Sequence, residues 1–118
     1  MKHIKMPREL ADKWLVALRS GKYEQGTHTL HSVSWDSTEH RYCCLGVLQM
    51  VAEGETEGLT LPTRDWLTRH RIFFRDEAGD SATNPFLVSL GDSVASCNDS
   101  GLSFKFIADA IEDEIEST

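Results

Sequence analysis

The sequence predicts an α+β fold, with amphipathic N- and C-terminal helices and a middle helix packed on short antiparallel hairpins. Three observations predict it. Leu10, Ala11, Trp14, Leu15 and Leu18 recur at three- and four-residue spacing, which places them on one face of a helix. Phe104, Ile107, Ala108, Ile111 and Ile115 repeat that pattern at the other end of the chain. Between them lie short runs rich in Thr, Val and aromatic residues, broken by turn-forming residues and by one further helical pattern.

The first helix is expected over Pro7–Ser20, because Pro7 suits a first-turn position and Gly21 a stop. Thr27–Trp35 is expected as a strand. Asp36-Ser37-Thr38 supplies turn chemistry, and His40-Arg41-Tyr42 returns antiparallel. From Tyr42 to Ala52 the spacing of Cys44, Leu45, Leu48, Val51 and Ala52 is helical, with Gly54 as terminator. Gly46 inside that helix costs roughly 1 kcal/mol against Ala, so a close backbone neighbour is expected there. Leu59–Leu61 reads as a short strand and Arg64–His70 as a brief helix. Ile72–Arg75 reads as a strand and Asp76–Asp80 as a turn. Phe86–Leu90 is extended after an X-Pro step, and Asp92–Ser96 is a short helix. Ser103 can cap a last helix running from Phe104 to about Ser117.

Length and composition bound the function classes. The 118 residues are expected to form a single domain, 1–118, with 40% hydrophobic and 26% charged residues, ordinary globular usage. No apolar run approaches the roughly 20 residues that cross a bilayer. The basic N-terminus leads into a charged helix and not an apolar signal segment, so a cytoplasmic location is expected, without membrane association. Cys43, Cys44 and Cys97 form an odd set containing a vicinal pair, which suits free thiols in a reducing compartment.

Charge is unevenly spread. Residues 1–75 hold eleven Lys/Arg against nine Asp/Glu, a net of +2, whereas residues 76–118 hold one against ten, a net of −9. A chain of net charge −7 gains little from counterion release, which disfavours generic nucleic-acid binding. A basic middle with an acidic tail points instead to a specific anionic ligand or to self-association.

The stretch from Arg64 to Arg75 concentrates the candidate chemistry. Arg64, Arg69, Arg71 and Arg75, with His70, Trp66, Phe73 and Phe74, fall within twelve residues. Guanidinium forks match phosphate and carboxylate oxygens, and aromatic faces stack on bases. Arg64, Trp66, Arg69, His70, Arg71, Phe73 and Arg75 are therefore the expected ligand-binding set. The competing expectation puts Trp66, Leu67, Ile72 and Phe74 in the core and pairs the arginines with acidic residues. Cys43 and Cys44 follow His40 and Arg41 at a helix start, where a thiol pKa can fall, but small buried cysteines beside Gly46 explain them better. His28-x-x-His31 with His40-x-x-Cys43 offers metal-ligand types. Positions i and i+3 on a strand face opposite ways, so no metal is expected. Asn98-Asp99-Ser100-Gly101 is turn chemistry, and Asp109, Glu112, Asp113, Glu114 and Glu116 form an acidic helix face. No phosphate-cradling loop, nucleophile elbow or paired-acid motif is present, and neither an enzyme nor a cofactor is expected.

Three stretches, Trp14-Leu-Val-Ala-Leu-Arg-Ser-Gly-Lys-Tyr-Glu-Gln-Gly26, Tyr42-Cys-Cys-Leu-Gly-Val-Leu48 and Ser96-Cys-Asn-Asp-Ser-Gly-Leu-Ser-Phe-Lys-Phe-Ile-Ala-Asp-Ala-Ile-Glu112, together resemble a family of small tailed-bacteriophage proteins. The resemblance implies an origin and no catalytic residues. By analogy from that origin, the expectation is an accessory protein in the host cytoplasm that acts by binding and neutralises a host defence factor, with sequestration of a nucleotide immune signal in a homo-oligomer as the concrete form. A protein–protein inhibitor using the acidic C-terminal helix is the alternative, and a thiol-dependent enzyme a second one.

Overall fold

The two ends of the chain meet in one small sheet. In the computed structural model, which describes residues 4–59, 61–74 and 98–117, β1 (Ile4–Met6) is the central strand. On one side β1 pairs antiparallel with β4 (Phe73–Phe74), with Ile4 opposite Phe74. On the other it pairs parallel with β5 (Ile115–Ser117), with Ile4 opposite Ile115. Ile4, Met6, Phe74 and Ile115 are buried from these strands.

α1 (Arg8–Ser20) follows with Pro7 at its N-cap position and Gly21 in the left-handed conformation at its end, φ 76°. It buries Ala11, Trp14, Leu15, Ala17 and Leu18. Trp14 Nε1 donates to the Cys44 carbonyl at 2.9 Å, tying α1 to α2 (Cys44–Glu53). The expected hairpin is present but shorter than the sequence suggests. β2 (His31–Val33) pairs antiparallel with β3 (His40–Tyr42), while Thr27–Leu30 bends to meet the core.

Leu30 explains Gly46. A Cβ at Gly46 would lie 1.8 Å from the Leu30 carbonyl oxygen, so only glycine lets α2 seat against that backbone. α2 begins after Cys43, whose sulfur accepts from Gly46 N, and closes at Gly54 with φ 80°. α3 (Arg64–Arg69) is capped by Thr63, whose side chain accepts from Trp66 N. The expected strand over Leu59–Leu61 does not form at either described end of that segment, since both ends are bends; Thr60 lies outside the described residues.

α4 (Phe104–Glu112) starts on a Ser103 cap and buries Phe104, Ile107, Ala108 and Ile111. Here the structure corrects the expected helix to Ser117. The chain leaves the helix after Glu112 and runs on as β5. Asp113, Glu114 and Glu116 would crowd negative charge onto the helix C-terminus, where the macrodipole disfavours it. The strand instead places Ile115 against Ile4. The α+β class stands: the described residues form one antiparallel hairpin and one mixed sheet in which β1 lies between β4 and β5. The expected turn at Asp76–Asp80, strand at Phe86–Leu90 and helix at Asp92–Ser96 lie outside the described residues, as do Arg75 and Cys97.

Candidate functional site

A cleft of about 270 Å³ opens where α1 meets the C-terminal ends of α2 and α3. Leu10, Val51 and Ala52 supply its apolar part, and Lys13, Arg69, His70 and Arg71 its polar rim, with Pro7 and Glu9 completing it. Two helix C-termini end here, and their partial negative charge favours cations in that position.

The end of α3 sets the geometry. Ile72 N donates to the Leu67 carbonyl at 2.9 Å and Arg71 N to the Thr68 carbonyl at 3.0 Å, the bond pair of a Schellman closure. Leu67 and Ile72, both buried, make the apolar contact that accompanies it. This closure needs a residue with positive φ at the position just past the cap, normally glycine. Arg71 occupies it with φ 59°. Arg71 is exposed and forms no ion pair among the described residues.

Glu53 sits beside the cleft as an internal anion. Its Oε1 accepts from Arg69 at 2.8 Å and from His70 Nε2 at 2.7 Å. These partners hold its carboxyl below the usual range, the His70 bond first, then the Arg69 charge, with a smaller contribution from the Trp66 N–H. The carboxylate can only accept, so Nε2 of His70 carries the proton. Trp66 lies under His70 with ring centroids 4.4 Å apart, and its Nε1 is buried with no partner in hydrogen-bonding geometry among the described residues.

The seven sequence-predicted residues therefore divide. Arg69, His70 and Arg71 line one cleft. Trp66, read as a stacking face, is a core residue at 2% exposure, because Leu67 and Trp66 carry the buried side of a helix only six residues long. Arg64 is exposed on the first turn of α3, and Phe73 lies on β4 opposite Lys5; neither lines the cleft. Arg75 is outside the described residues. Lys13 and Glu53 were missed. Lys13 is one charge among several on the polar face of α1, and nothing in the one-dimensional pattern aims it at α3.

The other candidates resolve as structure. Cys43 and Cys44 are buried free thiols, and burial pushes both up, Cys44 far up, which opposes a nucleophilic role. Among the described residues no three His, Cys, Asp or Glu side chains gather as metal ligands. His31 Nε2 instead faces His40 Nδ1 at 2.9 Å, and His31 stacks on Tyr42 with centroids 4.5 Å apart. Asn98 is fully buried: its Oδ1 accepts from Gln25 Nε2 and Cys44 N, and its Nδ2 donates to the Gly26 carbonyl at 2.7 Å. On the acidic helix, Asp109 and Glu112 both grip Arg19 of α1, at 2.7 and 3.1 Å. Among the described residues no helix is long and apolar enough to cross a membrane.

A family model described as "Domain of unknown function (DUF8296)" matches residues 6–78, a span that contains every residue of the cleft. No curated protein and no solved structure matches the chain. Neither the family match nor the arrangement of side chains points to an enzymatic activity.

Proposed function

The chain belongs to the DUF8296 family, and we propose that it acts by binding: a phage-type accessory protein that captures a small anionic ligand in the cleft formed by Lys13, Arg69, His70 and Arg71. The carrying observation is Arg71. A non-glycine residue in the left-handed region costs of order 1 kcal/mol, and glycine would close α3 without that cost. His28 and Ser37 hold the same backbone region away from the cleft, but Arg71 joins it to an exposed guanidinium at the cleft, which supports ligand recognition.

The cleft's size and lining narrow the class. At about 270 Å³ it lies just below the usual ligand range of roughly 300–1,000 Å³, so it suits one charged group with a small apolar body. Leu10, Val51 and Ala52 meet the body, and the cations meet phosphate or carboxylate oxygens. A nucleotide immune signal of the host is the leading candidate. Glu53 already holds Arg69 and His70, and Glu9 lies 3.5 Å from Lys13, so Arg71 makes first contact and the ligand competes with the two carboxylates for the rest.

Native mass spectrometry against inorganic phosphate and a panel of mono- and cyclic dinucleotides tests this. Retention of a nucleotide by the full chain is expected, with about tenfold weaker retention in Arg71→Ala, the equivalent of roughly 1.4 kcal/mol. Glu53→Gln, which removes one internal competitor, should bind more tightly than the wild type. Equal retention by all three proteins, or none by the wild type, contradicts the reading.

A further inference from the structure

We propose that Trp35, at the tip of the β2–β3 hairpin, docks into the groove between α1 and α2 of a second copy of this chain. The knob is unambiguous. Trp35, in the turn, is 97% exposed, and Val33, the last residue of β2, is 45% exposed. A large aromatic ring left in water is the commonest anchor of a protein interface.

The turn that presents it is held rigid. Asp36 Oδ1 accepts from Ser34 Oγ, from Thr38 Oγ1 at 2.8 Å and from Thr38 N at 3.2 Å. Ser34 N donates to the Glu39 carbonyl at 2.8 Å, and Glu39 N donates to Ser34 Oγ at 3.0 Å. None of these bonds is needed to form the core, because the whole tip is solvent-exposed from Trp35 to Arg41. They fix the backbone that carries a side chain left 97% exposed, which lowers the ordering cost of docking it.

The hole is on the same molecule. Val16, Ala17, Tyr23, Met50 and Val51 line a groove of about 440 Å³, large enough to take an indole. Val16 is 67% exposed on the outer side of a helix whose core face is already complete. Charge matches across the pair. The hairpin tip carries Asp36 and Glu39, with Arg41 turned onto Glu39 at 3.5 Å, whereas the groove edge carries Lys22 and also Lys13, the latter 3.5 Å from Glu9 of its own helix. Two chains of net −7 repel overall, and a contact that joins an acidic tip to a basic rim offsets part of that repulsion. Reciprocal insertion closes a dimer, and one-way insertion extends a chain of copies.

Sedimentation velocity over a micromolar to several-hundred-micromolar series of the full chain tests the pairing. The wild type should associate as concentration rises. Trp35→Ala and Val16→Glu alter exposed positions, so both should keep the wild-type circular dichroism and melting temperature yet weaken association by about 30-fold or more, the range of an interface hot spot. Mixed together they should associate again, since one retains the groove and the other the tryptophan. Lys22→Glu and Glu39→Lys should each weaken association, and the double variant should recover it. A wild type that stays monomeric throughout overturns the proposal, as does a Trp35→Ala variant that associates like the wild type.

Discussion

At the residue scale, the proposed anion site sets the backbone preference of Arg71 against its side chain. Its backbone occupies a conformation that glycine adopts without penalty, at the point where α3 closes onto the buried Leu67–Ile72 contact. Arg71→Gly is therefore expected to raise the unfolding free energy by up to about 1 kcal/mol while lowering anion affinity. Chemical denaturation alongside a binding titration measures both. A glycine variant that is less stable than the wild type would show that the Arg71 side chain packs for the fold. Glu53 is the counterpart of Arg71, a carboxylate held by Arg69 and His70 where, in the proposed function, an external anion would compete. The arginine cluster was legible in the sequence because four guanidinium side chains fall within twelve residues. Which of them converge was not legible: the six-residue length of α3 turns Trp66 inward and leaves Arg64 at the far end.

At the element scale, α2 is positioned by contact at its N-terminal end. Gly46 rests on the Leu30 carbonyl, Cys43 N donates to that same carbonyl at 3.3 Å, and Trp14 reaches the Cys44 carbonyl from α1. Gly46→Ala is expected to cost about 3 kcal/mol or more, the upper range of overpacking, because backbone and not a flexible side chain stands in the way. A thermal melt within a degree of the wild type would mean that Leu30 can retreat freely. The three amphipathic helices α1, α2 and α4 were readable from their 3.6-residue period, and Pro7, Gly21, Gly54 and Ser103 mark their ends. The mixed sheet was not. Ile4–Met6 and Ile115–Ser117 are three residues each, too short for a period, and they become strands only because the folded chain brings its ends together. The same event ends α4 at Glu112 and leaves Asp109 and Glu112 to hold Arg19, a pairing that engages part of the acidic face offered for a protein partner.

At the scale of the whole molecule, the perturbed acids and His31 act in one direction. Glu53 and Glu112 are held below the usual carboxylate range by their partners. Burial pushes Glu57 up, but bonds from Thr63 and Gln49 outweigh it and leave it low as well. A carboxylate with a lowered folded pKa contributes stability above its unfolded value, and that contribution is lost as pH falls through the folded value. His31 is lowered from 6.5 by burial and then by the neighbouring His40. Below about pH 6.5 the unfolded chain takes up its proton and the folded chain resists, so this group too favours the folded state less in acid. The melting temperature is expected to decline from pH 7 to pH 4, and His31→Gln should flatten the upper part of that decline. A melting temperature unchanged down to pH 4.5 contradicts the assignment.

The central claim concerns the cleft shared by three helices. Titration of ¹⁵N-labelled protein with a nucleotide, followed by amide chemical shifts, tests it most directly. The account predicts shifts that saturate and concentrate on Lys13, Val51, Ala52 and Arg69–Arg71, and that fade in Arg71→Ala. Saturating shifts confined to Asp109–Glu112, or no shifts at all, would contradict it.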